Sequence, residues 1–111
     1  MARLIWPEPA LADLDRIADF IALDDPVAVK KLVRRVFDHV EQLLGNPESG
    51  SVPPELRKLR PYRQIAEKPC RIFYRVTEDG AIYIVHVMRG EMLFERSHLT
   101  RSERSAPSKE I

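Results

Sequence analysis

A single cysteine, Cys70, excludes an internal disulfide, and nothing around it has metal-ligand spacing. Both features suit a reducing cytoplasm. Only four glycines occur, and none forms a glycine-rich phosphate loop. No apolar run approaches the roughly 18 residues of a membrane span. The opening MARLIWPEP lacks the apolar stretch of a secretory signal. Charge of either sign is also not in excess: 18 basic and 17 acidic side chains leave a formal net charge of +1. No global field therefore commits the chain to nucleic acid or to a membrane, and any electrostatic function must come from how the charges are arranged. No cofactor or metal is expected. What remains is a chain of 111 residues, 44% hydrophobic and 32% charged. That is the balance of one soluble globular domain, long enough to bury a core without staples.

The chain reads as strand, two helices, loop and three strands. Arg3 to Trp6 is a short strand ended by Pro7 and Pro9. Leu11, Leu14, Ile17, Ala18 and Ile21 recur at helical spacing and predict a helix from Glu8 to Leu23. Asp24, Asp25 and Pro26 break it, and Asp25 before Pro26 is a good N-cap for a second helix. That helix, Pro26 to Leu44, carries the strongest periodic stripe in the chain: Val29, Leu32, Val33, Val36, Phe37, Val40, Leu43 and Leu44. Gly45 is placed to stop it. The short break makes the two helices antiparallel neighbours, one acid-rich and one base-rich.

The loop NPESGSVPPE follows, and then charge changes sign, with Arg57, Lys58, Arg60 and Arg63 close together. Tyr62 to Ala66, Cys70 to Thr77 and Ala81 to Arg89 are the strand candidates, the last two joined by an Asp79-Gly80 turn. Alternation puts Cys70, Ile72, Tyr74 and Val76 on one face, expected to pack on the helices. Arg71, Phe73 and Arg75 fall on the other, expected to be open to solvent or a partner. His86 alternates with Ile82, Ile84 and Met88 and is expected on the core side. His39 reads as a surface residue near Arg35, Cys70 as a small core hydrophobe, and Trp6 as packed in its own fold. The domain is expected over residues 1–95, with a short strand or turn around Met92 to Phe94, and 96–111 as a polar, mobile tail.

In order and spacing these segments resemble the RelE/ParE toxin superfamily of bacterial type II toxin–antitoxin systems. The matching wording is LADLDRIADFIA, VEQLLGNP, PELRKLRPYRQI, CRIFYRV and IYIVHVMRG, across residues 3 to 91. The helix wording and YRQI…CRIFYRV look closer to ParE. The resemblance implies an α+β fold, with an N-terminal strand and an antiparallel helix hairpin packed on a small antiparallel sheet. It implies a cognate antitoxin whose C-terminal segment wraps the toxin. Operator DNA would be met only through the antitoxin, since the chain shows no helix-turn-helix reader. It implies no membrane partner.

ParE-like toxins are associated with inhibition of DNA gyrase, whereas RelE-like toxins cleave mRNA on the ribosome, and fold alone does not choose between them. For a gyrase inhibitor, Arg63, Arg71, Phe73, Arg75 and Arg89 are the expected target-binding residues. For an endonuclease, the resemblance assigns Arg71 to the scissile phosphate, Arg89 to transition-state charge and Lys58 as a helper, while strand alternation is expected to place Arg63 beside Arg71. Arginine suits phosphate because its planar fork makes two aligned charge-assisted bonds. Such chemistry also needs an acid and a base. No tyrosine follows Tyr83, and His98 is the only acid/base candidate in the tail. A protein-binding inhibitor without a catalytic centre is therefore the primary reading, the endonuclease the alternative, and a folded, non-toxic relative a third.

Overall fold

The computed structural model describes residues 3–58, 61–90 and the backbone of 107–110. Leu4–Pro7 is strand β1, Glu8–Ala22 helix α1 and Pro26–Gln42 helix α2. A 3-10 turn, Pro54–Leu56, precedes β2 (Tyr62–Glu67), β3 (Cys70–Val76) and β4 (Ile82–Arg89). Pro107–Glu110 forms β5. The sheet order is β2-β3-β4-β1-β5. The β2–β3, β3–β4 and β1–β5 pairs are antiparallel. The β1–β4 pair is parallel, because the chain returns to β1's neighbour only after the helices and two strands have been laid down.

Local chemistry sets the boundaries. Pro7 ends β1 in an extended conformation and leads into α1, where Pro9 sits in the first turn. Asp25 caps α2, accepting a hydrogen bond from the Ala28 amide at 3.0 Å. Gly80 takes a φ of 87° in the β3–β4 turn, a region where a side chain is disfavoured. There the Ala81 amide donates to the Thr77 hydroxyl at 2.9 Å, and that hydroxyl also donates to Asp79. The elements predicted between residues 3 and 89 all form, with ends shifted by one or two residues.

Both helices lie on one face of the sheet. Leu14 and Ile17 of α1 and Leu32, Val36 and Val40 of α2 bury against Ile65, Ile72, Tyr74, Ile82, Ile84 and Val87. Trp6 is fully buried in this core and packs its ring on Phe37, centroids 5.0 Å apart. Cys70 is buried there as well. The opposite face has its own apolar cluster: Ile5, Leu56, Phe73, Ala81, Tyr83, Val85 and Met88, with Tyr62 against it. β4 is thus buried on both faces, which fits its nearly continuous apolar sequence.

One expectation about faces needs correction here. Met88 belongs to the second cluster, not to the helix side with Ile82 and Ile84. The cause is an irregularity in register: Phe73 faces His86 while the next residue, Tyr74, faces Ile84. The extra residue in β4 resets the alternation. His86 nevertheless reaches α1 as expected, its Nδ1 2.7 Å from Asp13 Oδ2. Within the segment expected as a polar, mobile tail, Pro107–Glu110 instead forms a strand that pairs with β1. The expected turn at Met92 to Phe94, His98 and the rest of the tail lie outside the described residues. Among the described residues no helix is long and apolar enough to cross a membrane.

Candidate functional site

Arg71 is the most highly organised charged group on the second sheet face. Leu56 anchors the 3-10 turn by inserting into the second apolar cluster, which carries its neighbour Glu55 to the sheet. Arg71 Nη1 donates to Glu55 Oε2 at 2.8 Å and Nη2 to Glu55 Oε1 at 2.9 Å. Its Nε and Nη2 also donate to Gln64 Oε1, at 2.9 and 2.6 Å. The guanidinium lies over the Phe73 ring, 4.8 Å from the centroid. This two-pronged bond holds the Glu55 carboxyl below its ordinary range.

The rest of that face is closed, not open. Phe73, expected on an open face as a target-binding residue, is fully buried. Arg75 stands opposite Tyr83 and stacks on its ring at 4.7 Å. The physical reason is the loop after α2, which folds back and brings Leu56 over the strands.

Arg63 does not sit beside Arg71. It is paired with Tyr74 across β2–β3, whereas Arg71 is paired with Ala66, so the two arginines project from opposite faces. Arg63 Nη1 donates to the Gly50 and Glu48 carbonyls at 2.8 and 3.2 Å. The Tyr74 hydroxyl joins the same arrangement, donating to the Pro47 carbonyl at 2.7 Å and accepting from the Gly50 amide at 3.0 Å. Burial raises the Tyr74 phenol above its ordinary value. Arg63 and Tyr74 together hold the 47–51 loop, and Ser51 extends the sheet by bonding Gln64.

Arg89 pairs with Cys70 and lies on the helix side, its guanidinium 4.4 Å from the Phe20 ring centroid in α1. Arg57 and Lys58 are exposed after the 3-10 turn, and Arg60 lies outside the described residues. The sequence candidates therefore divide: Arg71 and Arg75 share one face, while Arg63 and Arg89 lie on the other, at different neighbours.

Sequence reasoning missed two polar arrangements. Asp13 is buried and accepts from His86, from the Val87 amide at 3.3 Å and from Arg16 at 2.5 Å. Its position on the apolar stripe of α1, between Ala10 and Ile17, was the available signal. His39, expected on the surface, is half-buried, with Nδ1 2.7 Å from Glu67 Oε2, and Arg35 Nε lies 3.4 Å from Glu67 Oε1. These contacts tie α2 to the β2–β3 turn.

Chemically, the Arg71 fork can recognise a planar anion. The groups bonded to it are an amide and a carboxylate held below its usual range, which makes a weak base. Phe20, Leu23 and Val27 are exposed apolar groups around the turn between the helices, with Leu23 83% exposed, and Val52 is exposed in the loop before the 3-10 turn.

The fold that carries these arginines is a small mixed sheet with a helix hairpin packed on one face. Residues 4–94 match the family model described as the ParE toxin of the type II toxin–antitoxin system parDE, and the chain belongs to that family. It is similar to Toxin RelE2 of Caulobacter vibrioides, with 32% identity over 94 residues, 84% of this chain and 100% of the relative. It is also similar to "Putative toxin Y4kP" of Sinorhizobium fredii, with 35% identity over 83 residues, 75% of this chain and 84% of the relative. Membership of the family implies a cognate antitoxin as partner.

Proposed function

We propose that this toxin acts as a ParE-like inhibitor of DNA gyrase, by protein contact and without a catalytic centre of its own, in the cytoplasm. The observation that carries the reading is the division of the arginines. Arg71 is clasped by Glu55, Arg63 is engaged with loop carbonyls, and Arg89 stacks on Phe20 across the sheet. Transition-state stabilisation requires charged groups converging within a few ångströms of one reacting phosphate. These three do not converge. The antitoxin docks on the helix hairpin, where Phe20, Leu23 and Val27 leave an apolar crown exposed. Pulse-labelling after induction of the toxin alone tests the target: DNA synthesis fails first while translation persists. Early loss of translation would contradict it.

One observation favours the second reading, ribosome-dependent mRNA cleavage: the 32%-identical relative bears the name Toxin RelE2. On that reading Arg71→Ala abolishes toxicity while leaving fold and antitoxin binding intact. Persistent toxicity of the variant removes it.

A further inference from the structure

We propose that the Arg71 fork is a docking point for an acidic peptide segment of a protein partner, and that Glu55 is its built-in occupant, displaced on binding. The geometry identifies the ligand chemistry. Both terminal nitrogens of Arg71 hold the two oxygens of one carboxylate, at 2.8 and 2.9 Å, in parallel bonds. Gln64 holds the guanidinium from its other edge through Nε and Nη2, and Phe73 supports it from below. The fork therefore has a support that does not depend on Glu55, and it stays oriented when Glu55 leaves.

Glu55 itself is a replaceable occupant. Its side chain is about one-third exposed (32%), against 19% for Arg71. It belongs to a three-residue turn anchored through Leu56, so the carboxylate can swing away while the turn stays docked. An exchange of one carboxylate for another is nearly neutral at the fork, and the neighbouring charges then decide it. Arg57 and Lys58 are exposed directly after that turn. A run of carboxylates meets these together with Arg71, whereas the Glu55 carboxylate is bonded to Arg71. Single-stranded nucleic acid fits less well: the rings beneath Arg71 and Arg75, Phe73 and Tyr83, are buried and offer no platform for base stacking. The dock lies on the opposite side of the sheet from the helix hairpin, so it is distinct from the antitoxin surface proposed above, and its test fails independently of the gyrase reading.

The test is fluorescence anisotropy of labelled dodecaglutamate with the full chain, with (dT)12 as a polyanion of similar charge. Glu55→Gln removes the occupant, and Glu78→Gln removes the same charge from the exposed β3–β4 turn. Glu55→Gln tightens dodecaglutamate binding about five- to tenfold and Glu78→Gln about twofold or less. Arg71→Gln weakens binding and cancels the gain in the double variant. The Arg71 Nε–H signal in a 15N spectrum moves during titration of the unaltered chain. Should Glu55→Gln loosen the turn, as read from its melting profile, Glu55→Asp keeps the charge but shortens the reach, and it must still show an intermediate gain. The proposal is overturned if Glu55→Gln binds no tighter than Glu78→Gln. It is equally overturned if the gain for (dT)12 matches or exceeds that for the peptide, which would make this a nucleic-acid site.

Discussion

Gly50 has no room for a β-carbon. One built there meets the Gln64 carbonyl and the Tyr74 hydroxyl, both at 2.6 Å, and the first of these is backbone in a strand. Gly50→Ala must therefore push the loop off β2 and costs about 1–3 kcal/mol, read as a lowered urea midpoint with unchanged slope. Tyr74→Phe removes a donor to Pro47 and an acceptor for the Gly50 amide, and it costs a similar amount, about 1–3 kcal/mol. Tyr74 and Glu55 also bracket the pH range. The buried phenol ionises in the folded chain above the value of 10.0 that it has in the unfolded chain. Its contribution is therefore complete below that value and falls as pH rises through and beyond it. Glu55 is the reverse case. Its carboxyl, held below 4.5 by Arg71, contributes above that value and is lost as pH falls through the folded one. The Glu55 carboxyl carbon shift should titrate below the unfolded range; titration at or above it would contradict the clasp.

At the level of elements, the Asp13–His86 contact locks α1 to the central strand. Asp13→Ala deprives His86 Nδ1 and the Val87 amide of a buried acceptor, each about 1–3 kcal/mol. The measured loss should exceed that of Asp15→Ala on the exposed side of the same helix; equal losses would remove the lock. The helices and hairpins were legible in sequence because their signals are local: a 3.6-residue stripe, Asp25 before Pro26, and Asp79-Gly80 between apolar runs. What was not legible depended on two non-local events. A register irregularity in β4 moved Met88 to the far face, and alternation has no sign of an inserted residue until the partner strand is known. The loop after α2 folded back, so that Leu56 and Glu55 covered a face expected to be open. Arg63 was misplaced for a related reason, since the face it takes follows from pairing with Tyr74 and not from its nearness in sequence to the other basic residues.

For the whole molecule, the chain presents two surfaces of different chemistry. One is the apolar crown of the helix hairpin, and the other is the arginine clasp beneath the sheet. Leu23→Asp should leave stability within about 0.5 kcal/mol, because the side chain is exposed, while weakening antitoxin binding in calorimetry. Unchanged antitoxin affinity would move that dock elsewhere. On the proposed function, a folded toxin with divided arginines works by occupying a protein target. The most direct measurement is DNA gyrase supercoiling of relaxed plasmid with purified toxin, alone and with its antitoxin. Supercoiling should fall as toxin is raised and recover when the antitoxin is added. Undiminished supercoiling at saturating toxin would contradict the proposed function.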